Sequence, residues 1–187
     1  MQNHVFWAGT QTQEHDYSFP EGIALRIPPD YSFDFNSHYV NKTTGKIPGE
    51  VYVNLYKLDK AKVKIVANSL NLGNQDFTLP AGQRTVATKT FKFNKATKVL
   101  MLTSHNHKLG EKFVIKIVGG ARNGEIVYES TDWEHPLIKN FPQALEFKAG
   151  EGLMSEITYN NTTTKAVRFG LTSEDEMGII FGYYYEQ

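Results

Sequence analysis

The sequence predicts an all-β protein, an antiparallel sandwich or barrel, on three observations. Apolar and polar residues alternate through one segment after another. Turn-forming residues separate those segments at spacings of about 8–12 residues. No stretch of about 12 residues carries helical periodicity.

The first 48 residues differ in texture from the rest. They hold Pro20, Pro28, Pro29 and Pro48, with short apolar runs around Phe6-Trp7-Ala8 and over 23–27. Residues 32–40 alternate as a strand should. A loop over 42–49 marks a boundary between residues 1–48 and 49–187. From there, strands are expected over 50–57, 62–69, 84–93 and 97–105, then 112–118, 124–129 and 144–148, and finally 153–159, 166–171 and 177–185. Between them lie turn signals at Asn71-Leu-Gly-Asn, Pro80-Ala-Gly, Gly119-Gly-Ala-Arg-Asn-Gly, Lys148-Ala-Gly-Glu-Gly and Asn160-Asn-Thr-Thr. Lys57, Lys62, Lys64 and Lys116 occupy the polar parity of their strands, as in sheets with one wet face.

Twenty basic and twenty acidic side chains cancel, so no net field favours nucleic acid or an anionic membrane. No apolar run approaches the roughly 18 residues of a membrane span. The absence of cysteine excludes disulfides, thiolate metal sites and cysteine nucleophiles. The start at Met1 shows neither a basic region nor a small-residue cleavage site, so no signal peptide is expected within the chain. Asn41, Asn160 and Asn161 match a glycosylation pattern that chance explains in so Asn- and Thr-rich a sequence. Serine-nucleophile, phosphate-loop, dinucleotide and zinc-protease motifs are missing.

Chemistry concentrates in two places. Thr103-Ser-His-Asn-His-Lys-Leu-Gly follows an apolar strand, and side chains two apart on a strand share a face. His105 and His107 can therefore present their rings together as half of a transition-metal site, or be two polar residues at a strand end. Met177 opens the last apolar strand; it is either a packing residue or a thioether ligand selecting soft copper. Glu174, Asp175 and Glu176 precede it. Neighbouring acids on extended backbone point alternately and converge poorly on one ion, so they read as a solvated turn. His38 is a buried histidine or a separate ligand, His135 a loop residue, and His4 and His15 solvated terminal ones.

The ordered combination resembles the copper type II, ascorbate-dependent monooxygenases, a family that includes peptidylglycine α-hydroxylating and dopamine β-monooxygenases. It is carried by Ser104-His-Asn-His-Lys-Leu-Gly, by Thr172-Ser-Glu-Asp-Glu-Met-Gly-Ile-Ile-Phe-Gly-Tyr-Tyr-Tyr, and by Pro20-Glu-Gly-Ile-Ala-Leu-Arg-Ile-Pro with His38-Tyr-Val-Asn upstream. The resemblance implies a jelly-roll β-sandwich over 49–187, with 1–48 as the final strands of an upstream copper domain. It makes His105, His107 and Met177 the copper ligands where oxygen is activated, and His38 a ligand of a second, electron-supplying copper. A small-molecule substrate, O2, copper, and ascorbate or another external donor follow, in a secreted or periplasmic setting.

The departures narrow this. The family's second copper needs a histidine pair, and the chain has no His-His; either that pair belongs to an upstream segment, or the protein does not run the coupled two-copper reaction. Thr103 stands where the peptide-specific branch has a carboxylate-binding arginine, and Ile179 and Phe181 replace its asparagine and tyrosine. Peptide amidation is therefore not expected, and the substrate is expected to be neutral or apolar. The positions of two cysteines that pair in the animal enzymes fall at about Ile157 and Gly178. Two rival readings remain: a non-catalytic copper-binding or structural sandwich, and a glycan-binding or interaction module. Fold class alone does not choose among them.

Overall fold

A computed structural model describes residues 4–37, 39 and 41–187. Among them the fold is all-β, with several antiparallel sheets, none of them closed. The helical content is one 3-10 turn, Lys60–Lys62. No helix among the described residues is long and apolar enough to cross a membrane.

The chain divides into two compact units, residues 1–18 with 67–187, and residues 19–66. The smaller holds β1 (Ile23–Leu25) and the 3-10 turn. The Gly22 carbonyl accepts from the Lys64 and Ile65 amides, and Asp59 caps the 3-10 turn through the Ala61 amide at 3.0 Å. The strands expected over 32–40 and 50–57 do not form among its described residues. Their apolar side chains find no cover: Phe35, Val51, Tyr52, Val53 and Tyr56 are all exposed. Alternation makes a strand only when a neighbour takes its backbone hydrogen bonds and one face is buried.

In the larger unit, β2 (Ile65–Gly73), β11 (Gly178–Glu186), β5 (Thr97–Asn106) and β8 (Lys139–Phe147) lie side by side in that order. A second sheet runs β4 (Gln83–Lys92), β9 (Gly152–Asn161), β6 (Gly110–Val118) and β7 (Ile126–Ser130). The short strands β3 (Thr78–Leu79) and β10 (Val167–Arg168) pair with each other. β8 begins earlier than its alternation indicates, and of the strand expected over 166–171 only β10 forms. One core serves both sheets: Leu70, Val99, Leu102, Phe147 and Ile180 from the first meet Ala87, Phe113, Ile115, Leu153, Ile157 and Tyr159 from the second.

That core fixes parity at the first sheet. Leu102 and Ile180 point inward, so the register pairs Ile179 with His105 and Phe181 with Thr103 on the outward face. A bulge at Leu100 keeps both Val99 and Leu102 inward despite their odd spacing.

Candidate metal centre

His105 is the next-to-last residue of β5, and His107 stands just beyond its end. Both are half-buried on the outward face, with ring centroids 5.2 Å apart and planes at 83°. The turn that follows is tight: the Gly110 amide donates to the His107 carbonyl at 3.0 Å. The buried Asn106 amide also donates to that carbonyl, at 3.0 Å. A Cβ at Gly110 would come within 2.0 Å of Asn106 Nδ2, which is why the motif ends in glycine.

Each ring is oriented through Nδ1. The His107 Nδ1 lies 2.8 Å from the Asp175 carbonyl oxygen, which only accepts, so Nδ1 carries the proton in the neutral ring and Nε2 the lone pair. The His105 Nδ1 lies 2.7 Å from Gln11 Oε1, with the same consequence. Metal-binding imidazoles are commonly oriented in this way, by a hydrogen bond from the ring nitrogen that is not the ligand.

Met177 precedes β11 by one residue and is half-buried. Carrying the strand alternation two residues back from Ile179, the partner of His105, puts Met177 on the histidines' face. Its carbonyl accepts a 2.6 Å hydrogen bond from the Tyr159 hydroxyl, whose pKa burial pushes well above the ordinary tyrosine range. A Cβ on Gly178 would lie 2.9 Å from that hydroxyl and 2.6 Å from Ile157 Cδ1. Ile157 and Gly178, the positions of the animal enzymes' paired cysteines, are thus neighbours in space.

The acidic turn is not uniformly solvated. Glu174 is exposed and pairs with Lys108 at 3.0 Å. Asp175 accepts from the Thr172 hydroxyl at 2.6 Å, which holds its carboxyl below the usual range. Glu176 corrects the expectation outright: it is 0% exposed. Its carboxylate accepts from the His107 amide at 2.9 Å, the Leu109 amide at 2.7 Å and the Met177 amide at 3.3 Å. Burial raises its pKa against the pull of those amides. Glu176 therefore stitches the histidine turn to the methionine turn. The signal was present in the sequence, because Glu176 has the inward parity of Gly178 and Ile180.

Other candidates separate from this cluster. His38 lies outside the described residues. His135 is exposed, 3.6 Å from Asp132 through Nδ1. Thr103 is buried, its hydroxyl donating to the Leu137 carbonyl at 2.9 Å. Among the described residues no group of three or more His, Cys, Asp or Glu side chains is arranged to hold an ion.

No curated protein matches the chain. The family model of the copper type II ascorbate-dependent monooxygenase, C-terminal domain, matches residues 66–187. That span takes in β3 to β11 and all but the first residue of β2, with the histidine pair and the methionine turn. The chain belongs to the copper type II ascorbate-dependent monooxygenases and carries their C-terminal domain.

Proposed function

We propose that His105, His107 and Met177 hold one copper ion, and that this domain is the oxygen-activating half of a monooxygenase that hydroxylates a C–H bond of a small neutral or apolar substrate. The observation that carries the reading is the pair of half-buried imidazoles, each with Nδ1 on a hydrogen-bond acceptor and Nε2 as its lone-pair nitrogen, beside a methionine of the same strand-face parity. Two imidazoles and a thioether suit copper, and the soft sulfur favours the reduced ion. When bound, copper supplies the electron chemistry toward O2, with ascorbate as the family's reductant.

The chain's own residues do the rest. Gln11 and the Asp175 carbonyl fix the ring tautomers. Glu176 and Tyr159 fix the backbone on either side of Met177. Ile179 and Phe181 give the outward face beside His105 an apolar surface, and the Thr103 hydroxyl is occupied by the Leu137 carbonyl. None of these supplies a cation for a substrate carboxylate. We read the sheet orders β2–β11–β5–β8 and β4–β9–β6–β7 as a jelly roll. We also read 1–48 as the end of an upstream domain in which His38 serves a second copper.

The test is a Cu(I) competition titration of the wild type, His107→Ala and Met177→Ala. One equivalent of tightly bound Cu(I) is expected, lost in His107→Ala. In Met177→Ala, Cu(I) should weaken far more than Cu(II). A wild type that binds no stoichiometric Cu(I) would remove the reading.

A further inference from the structure

The family match begins at residue 66, yet one of the two candidate ligand rings is oriented from residue 11. The segment 5–17 packs in the same compact unit as the sheets and lies on the outward face of β11 and β2. Phe6 stacks on Phe181 with centroids 4.3 Å apart, and the Phe6 carbonyl accepts from the Ser69 hydroxyl. The Trp7 carbonyl accepts from the Tyr183 hydroxyl at 3.1 Å. Tyr17 meets the Tyr183 ring edge-on at 5.4 Å and closes the segment on itself through the Gly9 carbonyl. These anchors carry Gln11 to the histidine pair.

Gln11 is there with a defined orientation. Its Nε2 donates to the Trp133 carbonyl at 2.9 Å and the Glu134 carbonyl at 3.3 Å. Carbonyl oxygens only accept, so the amide nitrogen must face them and Oε1 must face His105 Nδ1, 2.7 Å away. One side chain thus ties together the amino-terminal segment, the 131–138 loop and a candidate copper ligand. The loop is pinned a second time where the Leu137 carbonyl accepts from Thr103 and from Tyr128.

We propose that Gln11 is a positioning residue of the copper centre: the amino-terminal segment is a strap that holds His105 in its Nδ1–H tautomer and keeps Nε2 as the metal-binding nitrogen. The inference rests on the copper reading above and extends it to a part of the chain outside the matched domain. Losing a second-layer partner of a metal-bound histidine costs about 10–100-fold in metal affinity. Gln11 itself is solvent-exposed, where water competes for the same bond, so the effect is set at the lower end, about tenfold.

The experiment compares wild type with Gln11→Leu in two readouts. The first is the imidazole 15N–1H correlation spectrum of the metal-free protein, which reports the tautomer of each ring. His105 is expected as Nδ1–H in the wild type and as a mixture of tautomers in Gln11→Leu. His107, held by the Asp175 carbonyl, should stay Nδ1–H in both and so control for intact folding. The second is Cu(I) affinity by chelator competition, expected to fall about tenfold in the variant. An unchanged His105 tautomer, or an unchanged Cu(I) affinity, would overturn the assignment. Failure of the copper reading shows separately, as a wild type that takes up no copper whatever its tautomers.

Discussion

The two faces of the sheet β2–β11–β5–β8 are written into the same strands and do opposite jobs. Along β5 and β11 the inward parity carries Leu102, Ile180 and the rest of a shared apolar core. The outward parity carries Thr103 and His105 opposite Phe181 and Ile179. The inner face is covered by a second sheet, the outer by the 5–17 segment and the 131–138 loop. The apolar core is therefore concentrated on one side of a strand and the proposed copper site on the other. A rigid sheet places side chains more accurately than a loop can, while its outer face, away from the shared core, accepts polar groups that a core would exclude.

The largest effect should come from the inner face. Leu102 is wholly buried, and Leu102→Ala should cost about 2–5 kcal/mol in denaturant unfolding. Its copper stoichiometry, measured well below the unfolding midpoint, should be unchanged. On the outer face, His105→Ala, which removes a hydrogen bond to Gln11 and ring contacts with His107 and Phe181, should cost the metal-free protein less than Leu102→Ala does, about 1 kcal/mol for the hydrogen bond, and abolish tight copper binding. If the two variants exchanged these phenotypes, the division of labour between the faces would be wrong.

Glu176 belongs to both faces at once, since an inward carboxylate holds the turns that carry two of the proposed ligands, His107 and Met177. Glu176→Ala should leave buried amides without acceptors at roughly 3 kcal/mol and also weaken Cu(I) binding. A variant that lost stability but bound copper as tightly as wild type would reduce Glu176 to a core residue.

The closeness of the two histidine rings is legible in the sequence because strand parity sets both on one face, and their centroids lie 5.2 Å apart. Met177 is legible as the residue that opens the last apolar strand. Glu176 hides among neighbouring acids, since a row of carboxylates resembles solvated surface unless parity is carried back from Ile180. Gln11 cannot be read at all: nothing local links it to His105, and only the folded chain brings them to 2.7 Å. The segment 50–57 fails in the opposite sense. Its alternation is clear, but no partner strand covers Val51, Val53 or Leu55 among the described residues.

A milder perturbation should loosen the outer face while leaving the inner one intact. Burial pushes the Tyr17 phenol from 10.0 up to about 12. The folded state thus favours the neutral phenol. That contribution is whole below pH 10 and is lost as pH rises through about 12. Between those values, hydrogen exchange over residues 5–17 should quicken by more than hydroxide catalysis alone accounts for, before the sheets lose their far-ultraviolet circular dichroism. Simultaneous loss of both would make the strap and the core one cooperative unit. The smallest effect belongs to Lys108→Ala, which removes an exposed pair with Glu174. Stability and copper affinity should both stay at wild-type values, and a clear loss of either would give the outer acidic turn a role that its exposure does not suggest.

The most direct test of the central claim is X-ray absorption of the Cu(I)-loaded protein. Two imidazole nitrogens and one sulfur are expected around the ion, with the sulfur contribution gone in Met177→Leu. A Cu(I) spectrum with nitrogen and oxygen scatterers only, unchanged by that substitution, would contradict that claim.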